Sequence, residues 1–326
     1  MLGGTHHVGR CFVEAALARG HDVVTLNRGT SGVETPGVDV RHADRLDDEG
    51  VARALGDDTF DAVVDTWSWA PSAVRGTARL LSGRSGHYTY VSSRSVYAWP
   101  PPAGADESAP VVDGDPASGD AVDYAAAKRG GELAATTEFD GPVALLRAGL
   151  ILGPYEIVGR LPFCLHRIEL GGRVPVPGPP DRPLQLVDAR DLADWVLDHR
   201  PVGTYNAVSR PGHTTIGELL GECVRVTGSD AELVWLTPDV VEASGVSPWT
   251  ELPIWTPPTG ELAALHDCDT SAAHDAGLRC RPVALTVADT WAWLQREGIR
   301  VSREDRPPTG MDEEGEARLW AAAGHS

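Results

Sequence analysis

Tyr124-Ala-Ala-Ala-Lys128 sets a phenol and an ammonium four residues apart in a helical stretch, so both side chains share one helix face. An ammonium beside a phenol lowers its pKa from ~10 toward the range of a working proton donor and acceptor. Upstream, the segment His87-Tyr-Thr-Tyr-Val-Ser-Ser-Arg-Ser-Val-Tyr97 reads as a strand running into a small polar turn. Such a turn brings a serine hydroxyl to the carboxyl edge of a sheet, where ligands bind. The lysine is also singular in composition: the chain has 28 basic residues, and all except Lys128 are arginine. Where a generic positive charge suffices this chain uses Arg, so its one Lys marks a place that needs a compact ammonium.

Gly3-Gly4-Thr5-His6-His7-Val8-Gly9 opens a helix. Glycines allow a tight bend and close backbone approach, and a helix N-terminus offers N–H groups to a pyrophosphate, which makes Gly3, Thr5, His6 and Gly9 candidate cofactor contacts. In a dinucleotide fingerprint the middle glycine would fall at His6, so the contact there must differ. About 20 residues further on, an enzyme of unphosphorylated nicotinamide cofactors carries an acidic residue for the ribose hydroxyls. Here that place reads Leu26-Asn27-Arg28-Gly29. A neutral amide followed by a guanidinium accepts a 2′-phosphate that a carboxylate would repel, so NADP is favoured over NAD.

These groups need a scaffold that ends several strands at one edge. Strand-like runs at Val23 to Leu26, Val38 to Arg41, Ala62 to Asp65, His87 to Ser92 and Val143 to Arg147 alternate with helical segments at Asp47 to Leu55, Ser72 to Leu81 and Tyr124 to Glu138. The alternation predicts an α/β fold: a Rossmann-type, doubly wound parallel sheet. Only Met1 and Leu2 precede the glycines, so the first strand is expected to be truncated in this sequence. Gly20 is the expected C-cap of the first helix, and residues 99–120 read as a surface loop. Beyond residue 155 come helices at Leu161 to Leu170 and Ala189 to Leu197, a Pro/Gly cluster at Gly171 to Pro183 and a Trp-rich region. The expected organisation is a cofactor domain over 1–155 and a smaller mixed α/β substrate lobe over 156–303, some of whose segments return to the sheet. A linker and a last helix fill 304–326.

Composition bounds the function. With 326 residues, 42% hydrophobic and 23% charged, the chain fits one large or two moderate globular domains. A net charge of −19 argues against nucleic-acid phosphates or an anionic membrane as partner. No run approaches the ~18 apolar residues a membrane span needs, and no signal peptide is visible, so a cytoplasmic location is expected. The five cysteines lack metal-ligand spacing and read as free thiols.

Taken together the motifs resemble the extended type of the short-chain dehydrogenase/reductase superfamily, in its NAD-dependent epimerase/dehydratase group. The resemblance covers roughly residues 2 to 300 and rests on Gly3 to Gly9, Asp44-Arg45, Val91 to Tyr97, Tyr124-x-x-x-Lys128, Arg147 to Pro154 and Asp188 to Ala193. It implies that Asp44 meets the adenine amine, that Lys128 holds the nicotinamide ribose and that Ala148 to Leu150 line the nicotinamide. Thr66 joins the cofactor set. Ser93 takes the catalytic serine role, with Ser92 as the one-residue alternative. The chain departs from the pattern at His6, at Asn27 and at Ala148, which stands for a common proline. Dehydratases of the group carry an Asp-Glu pair where this chain has Arg94, Ser95 and Val96, so sugar dehydration is disfavoured. Relatives that bind RNA or act as regulators have lost the Tyr and Lys kept here.

The chain holds 10 Trp against 4 Phe. Trp67 and Trp69 follow the Ala62 to Asp65 strand, and Trp249 and Trp255 lie in a Pro-rich segment of the lobe. With Tyr155 they are the candidate walls for a flat or sugar-like substrate. The primary expectation is a carbonyl reductase or alcohol dehydrogenase using Ser93, Tyr124 and Lys128. The alternative keeps these residues but retains the cofactor, giving an epimerase of a sugar or nucleotide sugar. The third reading is a non-catalytic dinucleotide-binding regulator. Two long helices of the cofactor domain pair in relatives, which implies a homodimer.

Overall fold

The computed structural model describes residues 1–31, 35–297 and 309–324. Its first elements alternate as the apolar pattern requires: α1 His7–Ala18, β1 Val24–Asn27, β2 Asp39–His42, α2 Asp48–Leu55, β3 Val63–Asp65, α3 Pro71–Leu81, β4 Tyr88–Ser93, α4 Tyr124–Glu138 and β5 Val143–Ala148. Local chemistry sets the helix starts. The Asp47 carboxylate accepts the Gly50 N–H at 3.0 Å ahead of α2, Pro71 opens α3, and the Asp123 carboxylate accepts the N–H groups of Ala125 and Ala126 ahead of α4.

The sheet is parallel throughout. β1 pairs with β2, while β3, β4, β5 and the strand Gly203–Ala207 form a second ladder in that order. Leu2 joins the two. It makes parallel bridges to Leu26 of β1 and Asp65 of β3, its N–H donates to Val64 O at 2.8 Å, and the Leu26 N–H donates to Met1 O at 2.9 Å. The central strand is therefore represented by this one bridging residue. Beside it, a cavity of about 480 Å³ opens between β1 and β3, lined by Met1, Phe12, Val24, Phe60, Val64 and His87 among others. The core around Leu2 includes Leu26, Val63, Val74, Leu81, Tyr88 and Leu145, all buried.

Most strands end one residue later than the apolar runs suggest. β1 includes Asn27 because its ladder with β2 continues to His42, and β4 includes Ser93 because its ladder with β5 continues to Ala148. The C-cap of α1 is Arg19, not Gly20; Gly20 follows with φ +76° and lets the chain leave the helix. The helix expected at Ala189 to Leu197 runs to His199.

Contacts divide the chain into two compact units. The first comprises Met1–Ile151, Ala189–Val208 and Asp269–Arg279. The second comprises Leu152–Asp188, Ser209–Cys268 and the described part of Cys280–Ser326. Within the second, Arg173–Pro177 pairs in parallel with Glu232–Leu236, and a capping box of Thr215 and Glu218 starts the helix Ile216–Thr227. The last helix is Glu313–Ala322, and residues 304–308 of the expected linker lie outside the described residues. All five cysteines are free thiols, four of them buried. No described helix is long and apolar enough to cross a membrane.

Candidate active site

The Gly-rich turn is built for close backbone approach. Gly3 and Gly4 adopt φ of +110° and +101°, and a Cβ at Gly9 would lie 2.7 Å from the Gly4 backbone nitrogen. His6 stands at the N-cap of α1 in extended conformation, and its side chain makes no cap hydrogen bond to the first turn. These features fit a pyrophosphate. Thr66, just past β3, donates to Leu2 O at 3.1 Å and packs on Gly3. At the end of β1 the Asn27 side chain accepts the Gly29 N–H at 2.8 Å, and Arg28 is exposed. Asp44 is exposed after β2, its carboxylate accepting the Leu46 N–H at 3.0 Å.

At the carboxyl ends of β3 and β4 the chemistry-bearing side chains converge on the start of α4. Tyr124 is the first residue of α4, 37% exposed, and Trp69 meets its ring edge-on with centroids 5.9 Å apart. One turn later Lys128 is buried, 2% exposed, and its ammonium donates to Trp67 O at 2.7 Å and Val91 O at 2.6 Å. Burial pushes the Lys128 amine down to about 7, against the opposing pull of Asp65 and Glu132. α4 lies close enough to β4 for this because Gly131 faces the Tyr90 hydroxyl, where a Cβ would collide.

The two serines separate. Ser92 is bound inside a buried network, donating to Glu132 Oε1 at 2.8 Å, and Arg147 holds that same carboxylate through two bonds of 2.9 and 3.0 Å. Ser93 ends β4 and N-caps the 3-10 turn Arg94–Val96, its hydroxyl accepting the Ser95 N–H and donating to Ser95 Oγ at 3.1 Å. Ala148 and Leu150 are buried at and just past the end of β5.

Tyr155, Trp249 and Trp255 belong to the second unit. Tyr155 has φ +68° and lies edge-on to Trp293 at 5.7 Å, while the Arg160 guanidinium stacks 4.2 Å above the Trp249 ring. Trp255 does not present an open aromatic wall. It is 1% exposed, its indole N–H donates to Gly178 O at 3.1 Å, and it packs as core of its unit. Its size and apolar neighbours claim it for packing.

Sequence reasoning passed over Asp65, Arg45 and Glu132 as site-supporting groups. Asp65 ended an apolar run and Arg45 followed Asp44, so an acid and a base near the edge were visible, but only the fold pairs them.

The Rossmann-type sheet with a Gly-rich turn at α1 and a Ser, Tyr and Lys beside its carboxyl edge defines a nicotinamide-dependent enzyme class. The family model for the NAD-dependent epimerase/dehydratase family matches residues 1–206, and the chain belongs to that family. A comparison with curated proteins gave no match. Among solved structures the chain is similar to the Bordetella bronchiseptica enzyme WbmH in complex with NAD+, at TM-score 0.67 and 19% identity over 91% of this chain and 98% of that one. It is also similar to the Bordetella bronchiseptica enzyme WbmG in complex with NAD and UDP (TM-score 0.65, 17% identity, 91% and 94% covered). A third is the UDP-glucose 4-epimerase of Thermotoga maritima with UDP-glucose (TM-score 0.65, 15% identity, 91% and 98% covered).

Proposed function

We propose that this enzyme epimerises a secondary carbinol centre of a sugar or nucleotide sugar, by oxidation to a ketone and reduction on the opposite face. The observation that carries the reading is the Tyr124/Lys128 pair on α4 beside Ser93 at the end of β4. The relatives' contents, NAD in several and UDP-glucose in one, support an epimerase over a net reductase.

Bound nicotinamide dinucleotide supplies a hydride acceptor and donor. Its pyrophosphate would lie on the turn of Gly3, Thr5, His6 and Gly9, with Asp44 at the adenine, Thr66 beside the turn, and Lys128, Ala148 and Leu150 at the nicotinamide end. Ser93 donates a hydrogen bond to the substrate oxygen in exchange for its bond to the Ser95 hydroxyl; Ser92 is buried in its bond to Glu132 and leaves this role to its neighbour. Tyr124 takes the hydroxyl proton as the carbon loses hydride and returns it when hydride comes back. Lys128 favours the ionised phenol by its charge. Trp69, edge-on to Tyr124, and Trp67 two residues before it would suit the apolar face of a sugar ring.

Cofactor-loaded enzyme should interconvert two epimers with no net change in nicotinamide absorbance and no solvent deuterium entering the carbon. Stoichiometric consumption of reduced cofactor would overturn this and establish the second reading, a net carbonyl reductase. One observation favours that reading: exposed Arg28 after Asn27 suits the 2′-phosphate of NADP, the dinucleotide of reductive metabolism.

A further inference from the structure

Asp65, the last residue of β3, is fully buried, and four donors converge on its carboxylate. Arg45 reaches Oδ1 at 3.1 Å and Oδ2 at 2.8 Å, the Tyr88 hydroxyl reaches Oδ2 at 2.6 Å, and the Trp67 backbone N–H reaches Oδ1 at 2.9 Å. Arg45, 3% exposed, also donates to Thr77 Oγ1 at 2.7 Å and Ala73 O at 3.2 Å, and lies 5.3 Å from the Trp67 ring centroid. A buried ion pair of this kind contributes little net stability over apolar groups of the same volume. Its effect lies in what it orients.

The residue it grips is the one that holds the lysine. Trp67 gives its N–H to Asp65, and its carbonyl accepts both the Lys128 ammonium at 2.7 Å and the Tyr90 hydroxyl at 3.1 Å. The indole N–H closes the turn on Ala70 O at 3.1 Å. One peptide thus carries the constraint from a buried carboxylate at the end of β3 to an ammonium on α4. We propose that Arg45 and Asp65 are the positioning pair of Lys128: they fix the Trp67 carbonyl that receives the ammonium.

The charged and titratable groups facing Lys128 are few. Asp65 comes from β3, Tyr90 from β4 with its ring 4.9 Å from the ammonium, Glu132 and Tyr124 from α4, and Arg45 stands behind Asp65. Glu132 is occupied by Arg147 and Arg129. Burial drives the lysine toward its neutral form, and Asp65 leads the forces opposing it. The role in turnover rests on the reading of Lys128 as partner of Tyr124; the positioning itself does not.

Because the chain has a single lysine, the full-length protein made with isotope-labelled lysine gives one side-chain resonance, and its titration reads Lys128 directly. In Asp65→Asn the midpoint should fall by about one pH unit, a tenfold drop in the ratio of charged to neutral amine at a given pH. Asp65→Asn leaves Arg45 uncompensated in the core, so the double variant Arg45→Met/Asp65→Leu, without buried charge, answers if the single one does not fold. Its shift should be in the same direction and smaller. The alkaline limb of kcat should move down with the lysine midpoint. An unmoved Lys128 titration in either cooperatively melting variant overturns the proposal. Normal turnover by Tyr124→Phe would instead overturn the catalytic reading and leave the titration result untouched.

Discussion

The Lys128 ammonium and the Val91 carbonyl oxygen are 2.6 Å apart, which ties α4 to the strand whose last residue is Ser93. The helix that begins at Tyr124 and the strand that ends at Ser93 are thereby held together by a bond whose donor is a compact ammonium.

The cation is costly to keep there. An unfolded lysine titrates near 10.5 and the folded one near 7, so between these pH values the unfolded chain binds more protons and wild-type stability rises with pH. Lys128→Met should therefore be more stable than wild type below neutrality. Its advantage should shrink by on the order of 4 kcal/mol by about pH 10. Urea unfolding across that range measures it, and a constant difference would refute the buried cation.

Tyr124→Phe should bind dinucleotide nearly as wild type and lose ~10²- to 10⁴-fold in kcat. Ser93→Ala acts on the same step, so the double variant should fall far short of additivity. Lys128→Arg should not restore activity, because a planar guanidinium does not reproduce the ammonium's paired contacts with Trp67 O and Val91 O. Steady-state kinetics of these variants decide the assignment.

Arg28→Ala should weaken binding of the 2′-phosphorylated dinucleotide by about tenfold or more and leave the unphosphorylated form unaffected, the loss expected for one charge-assisted contact. Fluorescence titration of both forms is the measurement. Tighter binding of the unphosphorylated form by wild type would remove Arg28 from the site.

Glu156 offers an independent pH test in the second unit. Burial lifts its carboxyl from 4.5 to about 7, although the Arg160 and Leu161 N–H groups donate to it at 2.8 and 3.2 Å. The folded state then holds more protons between these values, so stability is lost as pH rises through the window. Glu156→Gln should gain on wild type by roughly 2 to 3 kcal/mol between pH 5 and pH 8. Thermal melts at both pH values giving equal differences would count against it.

Much of this was legible in the chain. Alternating strands and helices fix a parallel sheet because each crossover must return the chain to the same edge, and α4 spans Tyr124 to Glu138 as its pattern predicts. The i, i+4 spacing made the Tyr/Lys pair visible. What holds Lys128 was not visible, since its acceptors are backbone carbonyls, a group every residue has. Ser92 and Ser93 were indistinguishable by type; only strand pleat separates them, turning one toward Glu132 and leaving the other at the strand end. Trp255 misled because a large aromatic in a Pro-rich segment reads alike whether it lines a site or fills a core.

Leu2 has a mechanical meaning. Among the described residues the β1–β2 ladder meets the β3–β5 ladder through the short Met1–Gly3 segment and Thr66, so the sheet is two plates joined by a narrow strap. The adenosine end of a dinucleotide would rest on one plate and the nicotinamide end on the other. A cofactor so placed would act as a clasp across the strap, and its binding energy would add to the resistance of the two plates to parting.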